Sequence, residues 1–304
     1  MEYVLKTNGL TKCYGDFPAL NGLDMHVPKG AIYGFIGRNG AGKTTLIRLV
    51  CGLQKPTGGR YVLYGKAYDD ENITGARKRM GAVVEAPALY QEMTASENLK
   101  QQYRILGLPS FEGLEERLTL VGLAETGKKK VKNFSLGMRQ RLGIAVALAG
   151  NPDFLILDEP VNGLDPQGII EIRELILKLN MQKQITFLIS SHMLGELSKL
   201  ATHYGFIEQG KMKKEMTREE LERVLRKTVR LEVSDTRVLA CVLDEMQVEY
   251  RVHSRTQAEL FEEVSVSELG RKLETEGCEL LSWQKQEESL ESYYMNLVGG
   301  EAHV

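Results

Sequence analysis

Apolar residues recur along this chain in two rhythms, and the switches between them lay out its elements. Tyr3–Thr7 and Leu23–Val27 alternate apolar with polar residues, as half-buried strands do, with the turn-forming Tyr14-Gly15-Asp16 between them. Ala31–Ile36, Phe154–Leu157 and Thr186–Ser190 are instead short continuous apolar runs, the mark of strands buried on both faces of a parallel sheet. Arg60–Tyr64 returns as a strand after the turn Lys55–Gly59, and the apolar strand beginning at Met80 ends in a carboxylate, Glu85. Helical spacing fills the intervals. It covers Lys43–Cys51, a stretch with Leu99, Tyr103 and Leu106 on one face and then Leu114, Leu118 and Val121 on another, a helix opened by Ser135 and running to Ala149, and one after Pro166 carrying Ile169, Ile172, Ile176 and Leu179. Buried strands alternating with amphipathic helices place the chain in the α/β class, with a helical subdomain at about residues 86–150 inserted into the core.

Beyond residue 217 the rhythm changes. A linker helix is expected at 218–227, followed by a separate small α+β domain at 228–304. There Val229–Val233 reads as a strand, Asp235–Met246 as a helix, Glu249–Val252 and Glu259–Val264 as strands, and Leu280–Gln284 as a strand between two further helices. Ser265-Val266-Ser267-Glu268 has capping-box spacing for the first of those helices, and Gly277 suits its end. The second carries the stripe Leu290, Tyr293, Tyr294, Leu297 and Val298, expected to cover the domain's own sheet. The order β-α-β-β-α-β-α is that of a split βαβ sandwich.

The chemistry starts at Gly37-Arg38-Asn39-Gly40-Ala41-Gly42-Lys43-Thr44-Thr45, which fits the phosphate-loop pattern G-x-x-x-x-G-K-[ST] with a strand before it and a helix after. Its glycines let backbone N–H groups turn inward as an anion nest, and the helix adds its positive end. Lys43 is then placed for the β- and γ-phosphates and the Thr44 hydroxyl for Mg²⁺. The run Phe154–Leu157 delivers Asp158 and Glu159 to the sheet end where ligands bind. Asp158 suits the Mg²⁺ shell, and Glu159 suits orienting or deprotonating an attacking water. Tyr14 can stack on a base or be an ordinary loop aromatic; Ser135 can be only an N-cap or also a γ-phosphate contact; Asp165 caps a helix with Pro166 at its first position. His192, after the strand Thr186–Ser190, stays open between a structural and a catalytic role.

Composition narrows the setting. A net charge of −2 over 304 residues, with basic residues scattered, offers no nucleic-acid-binding face. The run Lys128-Lys129-Lys130 reads as a solvated loop. Cys13, Cys51, Cys241 and Cys278 lie far apart with no C-x-x-C pair, which fits reduced thiols better than disulfides or zinc. No apolar run approaches the ~20 residues needed to span a bilayer, and Met1-Glu2-Tyr3-Val4 does not open a signal peptide, so work at a membrane would need a span from another chain.

Taken together these residues resemble the ATP-binding cassette family from Val4 to about Met216. Tyr14 matches its adenine-stacking aromatic, Gly37–Thr45 its Walker A, Ser135–Arg141 with Gly137 its signature, Leu155–Glu159 its Walker B, Gly163–Asp165 its D-loop and His192 its switch histidine. The resemblance implies a RecA-like core with an antiparallel β subdomain and a helical subdomain, and a catalytic His192. It also implies a head-to-tail dimer in which each MgATP lies between one P-loop and the other copy's Ser135. Two departures stand out: Glu85 replaces the usual glutamine, a metal ligand in the family, and Leu136 replaces the first signature glycine. Glu85, the Ser135–Arg141 wording and the long tail look like the bacitracin-resistance and lantibiotic-immunity exporters. The resemblance further implies an ATPase on the cytoplasmic face of the membrane, paired with itself or a homologous subunit, driving separate permease chains, with no nucleic-acid partner. A soluble cassette acting on ribosomes or DNA is the alternative; it is disfavoured by the single cassette, the lack of a heptad insertion and the lack of cysteine pairs. A P-loop kinase would leave Ser135–Arg141 and His192 without roles.

Overall fold

The computed structural model describes residues 2–225, 228–261, 264–286 and 290–299, and the chain divides into two compact units, Met1–Arg218 and Glu219–Val304. In the first unit β1 (Tyr3–Tyr14) and β2 (Phe17–Pro28) form an antiparallel hairpin. Both run well beyond the stretches whose alternation is visible in the sequence. Register shifts between Thr7 and Leu10 and between Leu10 and Lys12 reset which face each residue occupies, so the strands continue while the period-2 pattern does not.

The chain continues through β3 (Ile32–Ile36), α1 (Lys43–Val50), β4 (Gly58–Leu63), β5 (Lys66–Ala67), α2 (Ile73–Arg77) and β6 (Met80–Val83). Then come the helices α3 (Ala95–Ile105), α4 (Leu114–Leu120) and α5 (Leu136–Ala147), followed by β7 (Phe154–Asp158), α6 (Pro166–Lys183), β8 (Thr186–Ser191), α7 (Leu194–Leu197), β9 (His203–Glu208) and β10 (Lys211–Thr217). One sheet has the order β2-β1-β4-β5; the other, β10-β9-β3-β8-β7-β6, is parallel except at its β10 edge. Every residue of β3, β7 and β8 is buried, as their unbroken apolar runs require. Leu46, Ile47, Leu49 and Val50 of α1 join Val4 and Leu5 of one sheet and Phe35, Ile156 and Leu188 of the other in a single core. The helix that begins at the phosphate loop is thereby held between two sheets.

In the helical subdomain α3 starts with a capping box: the Thr94 hydroxyl accepts from the Glu97 N–H at 3.2 Å, and the Glu97 carboxylate accepts from the Thr94 N–H at 2.8 Å. Leu99, Tyr103, Leu114, Leu118 and Val121 are buried as expected. Leu106 is not; the helix ends one residue before it and leaves it 45% exposed. Of the lysine-rich loop, Lys130 pairs with Glu92 at 3.2 Å. The subdomain returns to the core where α5 crosses β6. A Cβ on Gly81 would lie 2.3 Å from the Ala147 carbonyl oxygen and 2.8 Å from Leu155 Cδ2. Gly81→Ala should therefore cost about 1–3 kcal/mol of stability by overpacking. Calorimetry of the full chain should show an earlier unfolding transition; an unchanged thermogram would contradict this contact.

After α8 (Arg218–Val224), whose first residue still belongs to the first unit, come β11 (Thr228–Val233), α9 (Thr236–Glu245), β12 (Tyr250–Val252), β13 (Gln257–Leu260), α10 (Val266–Thr275), β14 (Leu280–Gln286) and α11 (Leu290–Gly299) of the second. Its four strands are antiparallel in the order β12-β13-β11-β14, the arrangement of a split βαβ sandwich. Leu239, Val242 and Leu243 of α9 and Leu269 and Leu273 of α10 pack with Val229, Leu231, Val233, Ala258 and Leu260 of the sheet. Two expectations need correction. The spacing at Ser265–Glu268 forms no capping box, because the Ser265 hydroxyl turns to that of Ser267, 3.0 Å away. The strand expected at Glu259–Val264 begins at Gln257 and ends at Leu260, and residues 262–263 lie outside the described residues, as do 226–227 of the expected linker.

Candidate functional site

Because β3, β8 and β7 are adjacent and parallel, their C-terminal ends lie side by side, with Ile36 opposite Ser191 and Asp158 opposite Ser190. β3 runs into the phosphate loop, β7 into Glu159 and β8 into His192, so segments far apart in sequence meet at one sheet edge. The loop lies tightly on its surroundings. Gly42, at φ +111°, has no room for a side chain: its Cβ would sit 2.5 Å from the Ala19 carbonyl oxygen. As N-cap of α1 it offers no side-chain acceptor, so the N–H groups of the first turn are left for an anion. Asn39 and Gly40 are exposed, Ala41 is buried, and Thr45 is half-buried behind Thr44.

The Lys43 ammonium, nearly buried, donates to the Gly37 carbonyl at 2.6 Å and lies 3.2 Å from Glu159 Oε1. The other oxygen of Glu159 is 2.9 Å from His192 Nδ1, so this carboxylate bridges the lysine and the histidine. Glu159 has a left-handed backbone, φ +51°, held by its N–H donating to the Ser190 carbonyl at 3.2 Å and hydroxyl at 3.0 Å. Such strain costs of order 1–3 kcal/mol and collects at functional sites. The Thr44 hydroxyl donates to Asp158 Oδ2 at 2.9 Å, and the Ser190 hydroxyl donates to Asp158 Oδ1. Ser190 is thus part of the site although sequence reasoning missed it. Its only signal was a small polar residue closing an apolar strand next to an acidic pair.

Among the described residues no group of three or more His, Cys, Asp or Glu side chains is placed to hold a metal. The Thr44–Asp158 pair still fits Mg²⁺, which characteristically takes one or two protein oxygens and completes its shell with water and substrate phosphates.

The remaining candidates lie on other elements. Tyr14 ends β1, 42% exposed, with its hydroxyl donating to the Gln54 side chain. Ser135 is the exposed N-cap of α5, its hydroxyl accepting from the Met138 N–H at 3.2 Å, and Asp165 caps α6 by accepting from the Gly168 N–H at 3.1 Å. A Cβ on Gly137 would touch only Leu164 Cδ2, at an ordinary 3.8 Å. Packing within this chain therefore does not require glycine there. Leu136, 39% exposed, leans on Gly163, whose Cβ would lie 3.3 Å from Leu136 Cδ2. Glu85 is held by Arg48 in α1, with its side chain 59% exposed, while Thr44 and Asp158 bond to each other. It lies beside a groove of about 590 Å³ between β6 and the helical subdomain, lined by Val84, Ala86, Pro87, Leu89, Gln102 and Val146 among others.

A phosphate loop and an acidic pair on neighbouring parallel strand ends, with helices inserted between them in sequence, define the P-loop NTPase class. The ABC transporter family matches residues 20–162. Over its full length the chain is similar to the bacitracin transport ATP-binding proteins BcrA of Bacillus licheniformis (42% identical, covering 99% of each chain) and of Enterococcus faecalis (40%, covering 99% of this chain and 98% of that one). The lantibiotic transport ATP-binding protein SrtF of Streptococcus pyogenes is 42% identical over 69% of this chain and 89% of its own. Among solved structures, the dimeric cassette MJ0796 bound to ADP and Pi superposes with a TM-score of 0.64 at 26% identity, covering 70% of this chain and 98% of that one. The ADP form of the cassette MJ1267 gives 0.66 at 29%, covering 74% and 95%. The chain belongs to the ABC transporter family, as an ATP-binding subunit that hydrolyses ATP.

Proposed function

We propose that this chain powers export of a peptide antibiotic, bacitracin foremost, as one of two cassettes attached to separate membrane subunits at the cytoplasmic face. The meeting of Lys43, Thr44, Asp158, Glu159 and His192 at one sheet edge carries the catalytic half of that reading. The cargo is inferred from the BcrA relatives, which match the tail unit as well as the cassette. In this reading the loop amides and Lys43 bind the β- and γ-phosphates, and Thr44 and Asp158 hold Mg²⁺, which supplies charge neutralisation on those phosphates. Glu159 orients and deprotonates the attacking water, while His192 fixes the Glu159 carboxylate from the side opposite Lys43. Ser135, exposed at the N-terminus of α5, serves the ATP of a second copy. No helix among the described residues is long and apolar enough to cross a membrane, and the groove beside Glu85 is the place offered to a membrane subunit.

Glu85 is where site and groove diverge. Its pairing with Arg48 points away from metal binding, so Glu85→Gln should leave ATPase activity of the isolated subunit within several-fold of wild type while weakening export in cells carrying the whole transporter. Loss of both activities together would instead place Glu85 in the chemistry. The cargo is tested by deleting the gene and measuring growth inhibition by bacitracin and by a lantibiotic. Greater sensitivity to bacitracin, restored by the wild-type gene, is expected; unchanged sensitivity to both compounds would refute a peptide-antibiotic exporter.

A further inference from the structure

We infer that Gln54 is a positioning residue for the base of ATP, locking the Tyr14 ring against the same helix that holds the phosphates. This rests on the reading of Tyr14 as the base-stacking aromatic. An aromatic side chain that is 42% exposed at the tip of a hairpin has rotamers to spare, and stacking on it would require ordering it first. Here the ordering is built in. The Tyr14 hydroxyl donates to the Gln54 amide oxygen, and the Lys12 ammonium lies 5.3 Å from the ring centroid, over one face. Lys12 is itself anchored, donating to the Lys55 carbonyl at 2.9 Å. Below these side chains the backbones are joined: Cys13 N–H donates to the Thr57 hydroxyl at 3.1 Å and Thr57 N–H to the Thr11 carbonyl at 2.9 Å. Lys12 lies over one face of the ring, and in this inference the base takes the other.

Gln54 and Lys55 leave the C-terminal end of α1, where Leu53 N–H still donates to the Arg48 carbonyl at 2.9 Å. The N-terminus of α1 is Gly42–Lys43. Base platform and phosphate site therefore hang on the two ends of one buried helix, and the Gln54 contact is what fixes the ring's angle to it. A nucleoside triphosphate would then engage both ends, and inorganic tripolyphosphate only the phosphate end.

The test compares wild type, Tyr14→Ala, Gln54→Leu and Gln54→Glu as full chains, measuring KM and kcat for MgATP and the inhibition constant of tripolyphosphate. Gln54→Leu keeps the bulk but removes the acceptor, and should raise KM about three- to tenfold with kcat retained, the cost of ordering one side chain on binding. Gln54→Glu keeps an acceptor for the Tyr14 hydroxyl and should return KM to within about twofold of wild type. Tyr14→Ala should raise KM by about tenfold or more through lost stacking. The tripolyphosphate constant should stay the same in all four. If Tyr14→Ala raises KM and Gln54→Leu does not, the role of Gln54 is overturned and the platform stands. If Tyr14→Ala has no effect, the platform reading fails and takes this inference with it. A tripolyphosphate constant that rises along with KM in Gln54→Leu would mean that Gln54 supports α1 rather than the ring, and would also overturn it.

Discussion

Replacing Lys43 by alanine should abolish ATP hydrolysis, with turnover falling by about 10²–10³-fold, the usual consequence of removing one preorganised contact from charge developing in a transition state. The ammonium is nearly buried, so no neighbouring lysine can take its place from solvent, and it sits between the Gly37 carbonyl and Glu159 where the loop turns into α1. Its loss also leaves the Glu159 carboxylate without its cation, so folding has to be checked separately by calorimetry. Lys43→Met, which keeps the length and apolar stem, should be as inactive as the alanine variant. Turnover within tenfold of wild type in a folded variant would remove the phosphate loop from the chemistry.

Glu159→Gln should have an effect of similar size on hydrolysis and should prolong the life of the ATP-bound dimer. An amide still accepts a hydrogen bond from the Lys43 ammonium and still meets His192, and glutamine tolerates the left-handed backbone at this position about as well as glutamate. It cannot take a proton from water. Nucleotide binding is thus retained while cleavage stops, and a dimer closed around two MgATP should persist through size-exclusion chromatography coupled to light scattering. A variant that remains monomeric at micromolar protein and saturating MgATP would contradict shared nucleotide sites.

What the sequence made legible was whatever depends on near neighbours. The phosphate loop is read from closely spaced glycines, and the caps at Ser135 and Asp165 from single side chains that do accept from Met138 and Gly168. Asp158 and Glu159 are placed by an apolar run that is fully buried. The same logic failed where two local solutions compete. Capping-box spacing occurs at Thr94–Glu97 and at Ser265–Glu268, but only Thr94 uses it, because a second serine at position 267 gives the Ser265 hydroxyl a nearer partner. Bulges hid much of the length of β1 and β2. Partnerships set by tertiary structure left no local trace at all: Arg48 with Glu85, Tyr14 with Gln54 and Ser190 with Asp158 lie 37, 40 and 32 residues apart. The first of these pairs Glu85 with a helix residue beside a groove, which the sequence did not signal.

The central claim, that this ATPase drives transport through other chains, is tested most directly by purifying Glu159→Gln protein with MgATP from detergent-solubilised membranes and identifying what accompanies it by mass spectrometry. A multi-spanning membrane protein in stoichiometric amount, lost when the cells lack that protein's gene and then leaving the ATPase in the soluble fraction, is the expected result. Recovery from the soluble fraction with ribosomal proteins or DNA, and no membrane protein, would contradict it.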